Sequence, residues 1–119
     1  MFEQYIGIPY VKRAATMSAC DCLGLFKLVY ADRLGVILPD YIDCDMSDAQ
    51  DILNTWRFIQ VPEVYDMLLF SNAEDGWHVG MHAGNNMMLH TTDGKMSCLE
   101  RYNRPYWSGR FAGAYRWAM

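Results

Sequence analysis

Nothing in this chain approaches the run of roughly 20 apolar residues that a membrane-spanning helix needs, and Lys12-Arg13 interrupts the longest N-terminal candidate. The first twenty residues also lack the basic-then-apolar order of a secretory signal peptide. The expectation is cytoplasmic synthesis without membrane insertion. Basic charge is scarce: ten Lys and Arg against fourteen Asp and Glu leave a net charge of −4. The cations are scattered, so an electrostatic footprint for nucleic acid is missing and no nucleic-acid partner is expected. The four cysteines match no small secreted scaffold in their spacing, which points to reduced thiols.

What is present describes a compact domain. Apolar residues make up 52% of the chain, with eight Tyr and four Trp, which excludes a disordered protein. A length of 119 residues buries a core without disulfides or metal and leaves no room for a second domain, so residues 1–119 are read as one unit.

The chemistry concentrates at Ser18-Ala19-Cys20-Asp21-Cys22-Leu23-Gly24-Leu25. Asp21 is a good N-cap and Leu23 to Leu34 is helix-like, with Gly35 as its stop. Cys22 then falls in the first turn, where N–H groups and the helix dipole stabilise an anion. Such placement lowers thiol pKa values to roughly 3.5–7.5 and makes a nucleophile. The competing reading is a buried structural cysteine, which is the role expected of Cys20.

A second helix is signalled by Ser47-Asp48-Ala49-Gln50, which fits a capping box, and by apolar residues at Ala49, Ile52, Leu53, Trp56 and Ile59. From Val61 the period changes to that of strands: Tyr65 to Phe70, His78 to Ala83, Met87 to Thr92, Met96 to Leu99 and Phe111 to Trp117. Turn residues separate them, Asp93-Gly94 being the strongest hairpin signal. Helices followed by an antiparallel meander form an α+β layout, with the N-terminal helices packed on the sheet.

All three histidines lie in the first hairpin. His78 and His82 share a face but stand roughly 13 Å apart on a strand, too far to hold one metal. Cys20 and Cys22 lack the usual zinc spacing, so neither a metal nor another cofactor is expected. For His78 and His90 the turn decides. A two-residue turn at Asn85-Asn86 pairs Gly84 with Met87 and sends the two histidines to opposite faces. A three-residue connection pairs Ala83 with Met87 and Gly80 with His90, making His78 and His90 same-face diagonal neighbours able to act as base and orienter. The alternative is two histidines merely exposed on a hairpin.

The order Pro9-Tyr10, Asp21-Cys22-Leu23-Gly24-Leu25, Leu38-Pro39, Tyr65-Asp66-Met67-Leu68-Leu69-Phe70, His78-Val79-Gly80-Met81 and Met88-Leu89-His90 resembles the NlpC/P60 cysteine peptidases over nearly the whole chain. It is most similar to their short members from phage tails and gene transfer particles. The resemblance implies a papain-like α+β fold and hydrolysis of peptidoglycan stem peptides, typically at the γ-D-glutamyl to diamino acid bond. It also implies Cys22 as nucleophile, His78 as general base, His90 as the residue orienting it, and Tyr10 as a substrate or oxyanion contact. Asp21 would cap the helix or meet a substrate amine. Two departures bear on substrate recognition: Leu23 stands where a serine is common, and Val11-Lys12-Arg13-Ala14 replaces a glycine pair. Tail-tip proteins would be the neighbours and the virion tail the destination. A non-catalytic tail or wall-binding component of the same fold is the alternative, and acyl transfer to an amine or lipid is a further one.

Overall fold

The computed structural model describes residues 1–38, 55–72 and 76–117. The capping-box helix start at 47–50 therefore lies outside the described residues. A short hairpin, β1 (Ala15–Thr16) and β2 (Ala19–Cys20), leads into helix α1 (Cys22–Val29). The main sheet contains β3 (Trp56–Ile59), β4 (Met67–Asn72), β5 (Gly76–Gly84), β6 (Met87–His90), β7 (Cys98–Arg101) and β8 (Phe111–Trp117), with a one-turn helix α2 (Pro105–Ser108) before β8. Its strands are antiparallel in the order β3-β8-β4-β5-β6-β7. The α+β layout with α1 on the sheet is as expected. Among the described residues no helix is long and apolar enough to cross a membrane.

Helix α1 begins and ends where its chemistry dictates. The Asp21 carboxylate accepts the Gly24 N–H at 2.6 Å through one oxygen and the Arg13 N–H at 2.7 Å through the other. That satisfies one orphan donor of the first turn and ties the preceding loop to the helix. Gly24 permits this closeness, since a Cβ there would sit 1.9 Å from the Ala14 carbonyl oxygen. The chain continues as a π-helical turn, Tyr30–Leu34, and Gly35 stops it in the left-handed conformation at φ +66°.

The sheet has two dressed faces. Met67 and Leu69 of β4, Val79 and Met81 of β5, and Leu89 of β6 pack with Leu23, Phe26 and Val29 of α1. Residues of opposite parity, Leu68, Phe70 and Met88, pack with Tyr102, Trp107 and Ala114. Alternation of side chains along the strands makes this division.

Strand limits differ from expectation at several places, β4 running Met67–Asn72 rather than Tyr65 to Phe70 and β6 ending at His90 rather than Thr92, and two further differences have a visible cause. Trp56 and Ile59, read as the end of the second helix, form β3 along the edge of β8. The pairing gives cross-strand partners that a surface helix lacks: Trp56 meets Trp117 with ring centroids 5.3 Å apart, and Phe58 meets Tyr115 at 5.8 Å. Strand β7 starts at Cys98 rather than Met96, because the extended N-terminal segment takes that stretch. Ile8 O accepts the Ser97 N–H at 2.9 Å, and the Ser97 hydroxyl accepts the Ile8 N–H at 2.8 Å.

Candidate active site

The β5–β6 connection resolves the parity question by combining both alternatives. Asn85 and Asn86 have φ of +52° and +60° and make a two-residue turn, with Gly84 opposite Met87. One extra residue between His82 and Gly84 then shifts the register, so that His82 opposes Met88 and Met81 opposes Leu89. This bulge restores the parity of the three-residue connection. His78 and His90 emerge on one face, with His78 Nε2 3.0 Å from His90 Nδ1.

Two partners were not legible in advance. Glu100 of β7 stands diagonal to His90, and its Oε1 lies 2.7 Å from His90 Nε2. Extending the alternation from Cys98, which pairs with His90, would have placed Glu100 on that face. Trp107 of α2 stacks on the His78 ring at 5.0 Å and 25°, and meets His90 edge-on at 5.3 Å. Its signal was Pro105, a good first helical residue, which turns the chain back over the sheet. Both histidines are buried beneath it.

These contacts assign the ring protons. Burial, then the neighbouring His78, push the His90 pKa down to about 4 against the pull of Glu100, so His90 is neutral near pH 7. A carboxylate only accepts, hence His90 carries its proton on Nε2 and donates it to Glu100. His90 Nδ1 is then an acceptor, and His78 donates to it from Nε2. The lone pair of His78 is left on Nδ1, the atom a general base needs.

Cys22 is a half-buried cysteine outside any disulfide, in the first turn of α1 at the edge of the helix-side core. Helix α1 packs on β5. Its C-terminal end is fixed by the Tyr30 hydroxyl, which donates to Tyr65 O at 2.5 Å, while Tyr65 N–H donates to His82 O at 3.1 Å. Val79 and Met81 of β5, not His78, point into the helix-side core that α1 covers. Tyr10 joins the Cys22 end of α1 by bridging to Cys20. Cys20 is fully buried, and desolvation raises its thiol to about 11, as suits a structural role. Asp21 is engaged through both oxygens in the cap described above. His82, the third histidine, sits apart, its Nδ1 2.8 Å from the Tyr102 hydroxyl.

Beside the relay lies a pocket of about 440 Å³ whose walls include His78, His90, Thr92, Lys95, Tyr106 and Trp107.

The chain is similar over nearly its whole length to known proteins. A murein DD-endopeptidase/LD-carboxypeptidase, MepS of Escherichia coli, is 26% identical over 97% of this chain, which spans 58% of MepS. A γ-DL-glutamyl hydrolase of Bacillus subtilis is also 26% identical, over 96% of this chain and 27% of its own length. The chain thus spans little more than half of the first of these relatives and about a quarter of the second. Among solved structures, an NLP/P60-family protein of Staphylococcus aureus superposes with a TM-score of 0.73 at 28% identity, over 97% of this chain and 38% of that one. The NlpC/p60 domain of the peptidoglycan hydrolase SagA shares the fold with a TM-score of 0.70 at 20% identity, over 95% of this chain and 90% of that one. The family model described as "NlpC/P60 family" matches residues 7–116, and the chain belongs to that family.

Proposed function

We propose that this chain is a cysteine peptidase domain that hydrolyses amide bonds in peptidoglycan stem peptides, with Cys22 as nucleophile, His78 as base and acid, and His90 and Glu100 as orienting groups. The observation that carries the reading is the chain of contacts from Glu100 through His90 to His78, which leaves a lone pair on His78 Nδ1. The peptidoglycan substrate is supported by the names of the relatives, and the γ-D-glutamyl bond by the B. subtilis hydrolase.

His78 Nδ1 takes the thiol proton, and the Cys22 thiolate attacks the amide carbon. The positive end of the α1 dipole favours both the thiolate and the developing oxyanion. His78 returns the proton to the leaving nitrogen, the C–N bond breaks, and a thioester remains on Cys22. Water then attacks the thioester with His78 again as base, releasing a carboxylate and restoring the thiol. The imidazolium formed in each half-reaction is held by His90, whose other nitrogen is held by Glu100, and Trp107 keeps water from the pair. Tyr10, at the Cys22 end, contacts the substrate or the oxyanion. Delivery by a phage tail or similar particle completes the proposal and rests on the likeness of the motif order to short tail-borne members.

The test is digestion of purified stem peptides by wild type and by Cys22→Ala, with mass spectrometry of the products. Cleavage by the wild type alone supports the peptidase and identifies the bond. Absence of cleavage across several wall chemistries by folded protein rejects it in favour of a binding or structural role.

A further inference from the structure

Beyond the relay, the face that carries it gathers a second set of donors. Cys98 pairs with His90 across the β6–β7 ladder, and Glu100 follows two residues later on the same face. A ring nitrogen of His90, the Cys98 sulfur and a Glu100 carboxylate oxygen all lie within 4.8 Å of one another, and Nε2 is the nitrogen that faces Glu100. They open onto the pocket, which Thr91 also lines.

We propose that His90, Cys98 and Glu100 form a binding site for Zn²⁺, and that occupancy switches off the histidine relay by reversing its tautomers. The donor set suits the ion. Imidazole nitrogen, thiolate and carboxylate are its common ligands, and three protein donors leave a fourth position for water from the pocket. Tetrahedral coordination asks for donor separations of about 3.3–3.7 Å. His90 is anchored in the sheet, whereas the half-exposed Glu100 side chain is able to draw back from its present 2.7 Å contact. Charge also closes: the Cys98 thiol releases its proton to solvent, and the thiolate and carboxylate together balance the dication.

The consequence for the relay follows from proton placement. Zinc takes the lone pair of His90 Nε2, so the ring proton of His90 moves to Nδ1. That N–H then donates to His78 Nε2, which becomes the acceptor, and the proton of His78 moves to Nδ1. No lone pair remains there to accept the thiol proton. The ring protons only change sites, and the metal changes no oxidation state. The binding claim is independent of the proposed peptidase activity, whereas the switching claim rests on His78 as the base.

The experiment uses the full chain and Zn²⁺ alone as probe. Titration calorimetry on Cys22→Ala, which removes the proposed nucleophile as a ligand, is expected to show one site. Cys22→Ala/Cys98→Ser should bind more than about 100-fold more weakly, the upper range for losing even an outer-shell partner. Equal binding by the two variants, or no binding by Cys22→Ala, overturns the site. Ring ¹⁵N spectra should show His90 and His78 exchanging tautomers when zinc is added, and unchanged spectra with zinc bound overturn the switch. In stem-peptide hydrolysis, Cys98→Ser should keep its zinc-free rate and need at least about tenfold more zinc for half-inhibition. Zinc-free inactivity of the wild type would reject the peptidase reading while the calorimetric result stood by itself.

Discussion

Replacing Glu100 tests whether the relay extends to a carboxylate. Its Oε1 is 2.7 Å from His90 Nε2, and the two imidazole centroids are 5.2 Å apart, which puts the carboxylate about 8 Å from the His78 ring. At an effective dielectric constant of about 20, a charge at that distance stabilises an imidazolium on His78 by about 2 kcal/mol. The Glu100 side chain is 48% exposed, so solvent screening reduces this to about 1 kcal/mol. Glu100→Gln should therefore lower kcat/KM about fivefold. Glu100→Leu removes the acceptor as well, leaves the buried His90 N–H unsatisfied, and should cost a further ~1–3 kcal/mol, up to about 10²-fold in rate. The assay is kcat/KM for stem-peptide hydrolysis across pH. Loss of a negative charge disfavours a positive charge on the essential base, so the acid limb of the profile should move to lower pH in Glu100→Gln. General structural damage would reduce the plateau without moving that limb. Wild-type kcat/KM with an unmoved acid limb in Glu100→Leu would refute the assigned proton chain.

Cys22→Ala should abolish hydrolysis with an unchanged circular dichroism spectrum, whereas His78→Ala should cost about 10²–10⁴ in kcat and His90→Ala less, since His90 acts through His78. Gly24→Ala forces a Cβ to within 1.9 Å of a backbone oxygen and should destabilise by about 3 kcal/mol in urea unfolding, with a wild-type midpoint counting against the close approach of the Ala14 backbone to α1. Stability should also depend on pH. Burial lowers the proton affinity of both His82 and His90, so the unfolded chain binds those protons more tightly; stability is complete above about pH 6.5 and is lost as pH falls from there toward the folded values. Between pH 7 and 5 His90 alone accounts for about 2 kcal/mol, and a flat or rising unfolding free energy over that range would contradict it.

The start and stop of the helix that carries Cys22 were legible because their signals are local. Asp21, Gly24 and Gly35 each perform a backbone task that only a few residue types perform, and all lie within a few residues of Cys22 or of the helix it opens. The relay was legible only up to an ambiguity. His78 and His90 share a face or not according to one inserted residue, and Asn85-Asn86 specifies the turn without specifying the bulge beside it. Glu100 and Trp107 were missed because their roles come from the third strand of the ladder and from a turn of helix folded back over it. Trp56–Ile59 misled for a related reason: its apolar spacing fits a helix, and only the partner strand β8 makes the extended form better.

Alternation along β5 explains why relay and core coexist in so small a domain. Val79 and Met81 turn their side chains to α1, so the residues that alternate with them, His78, Gly80 and His82, stay out of the helix-side core. Of these, His78 and His82 find polar partners, and Gly80 is held to a hydrogen atom by Met88, whose sulfur would lie 2.6 Å from an added Cβ. A strand that shows one face to α1 gives the helix that carries Cys22 its seat on the sheet. The same strand's other face fixes His78 against His90 and Trp107. One element thus carries both the core contacts and His78, and a slip of a single residue in β5 would exchange core for relay and lose both.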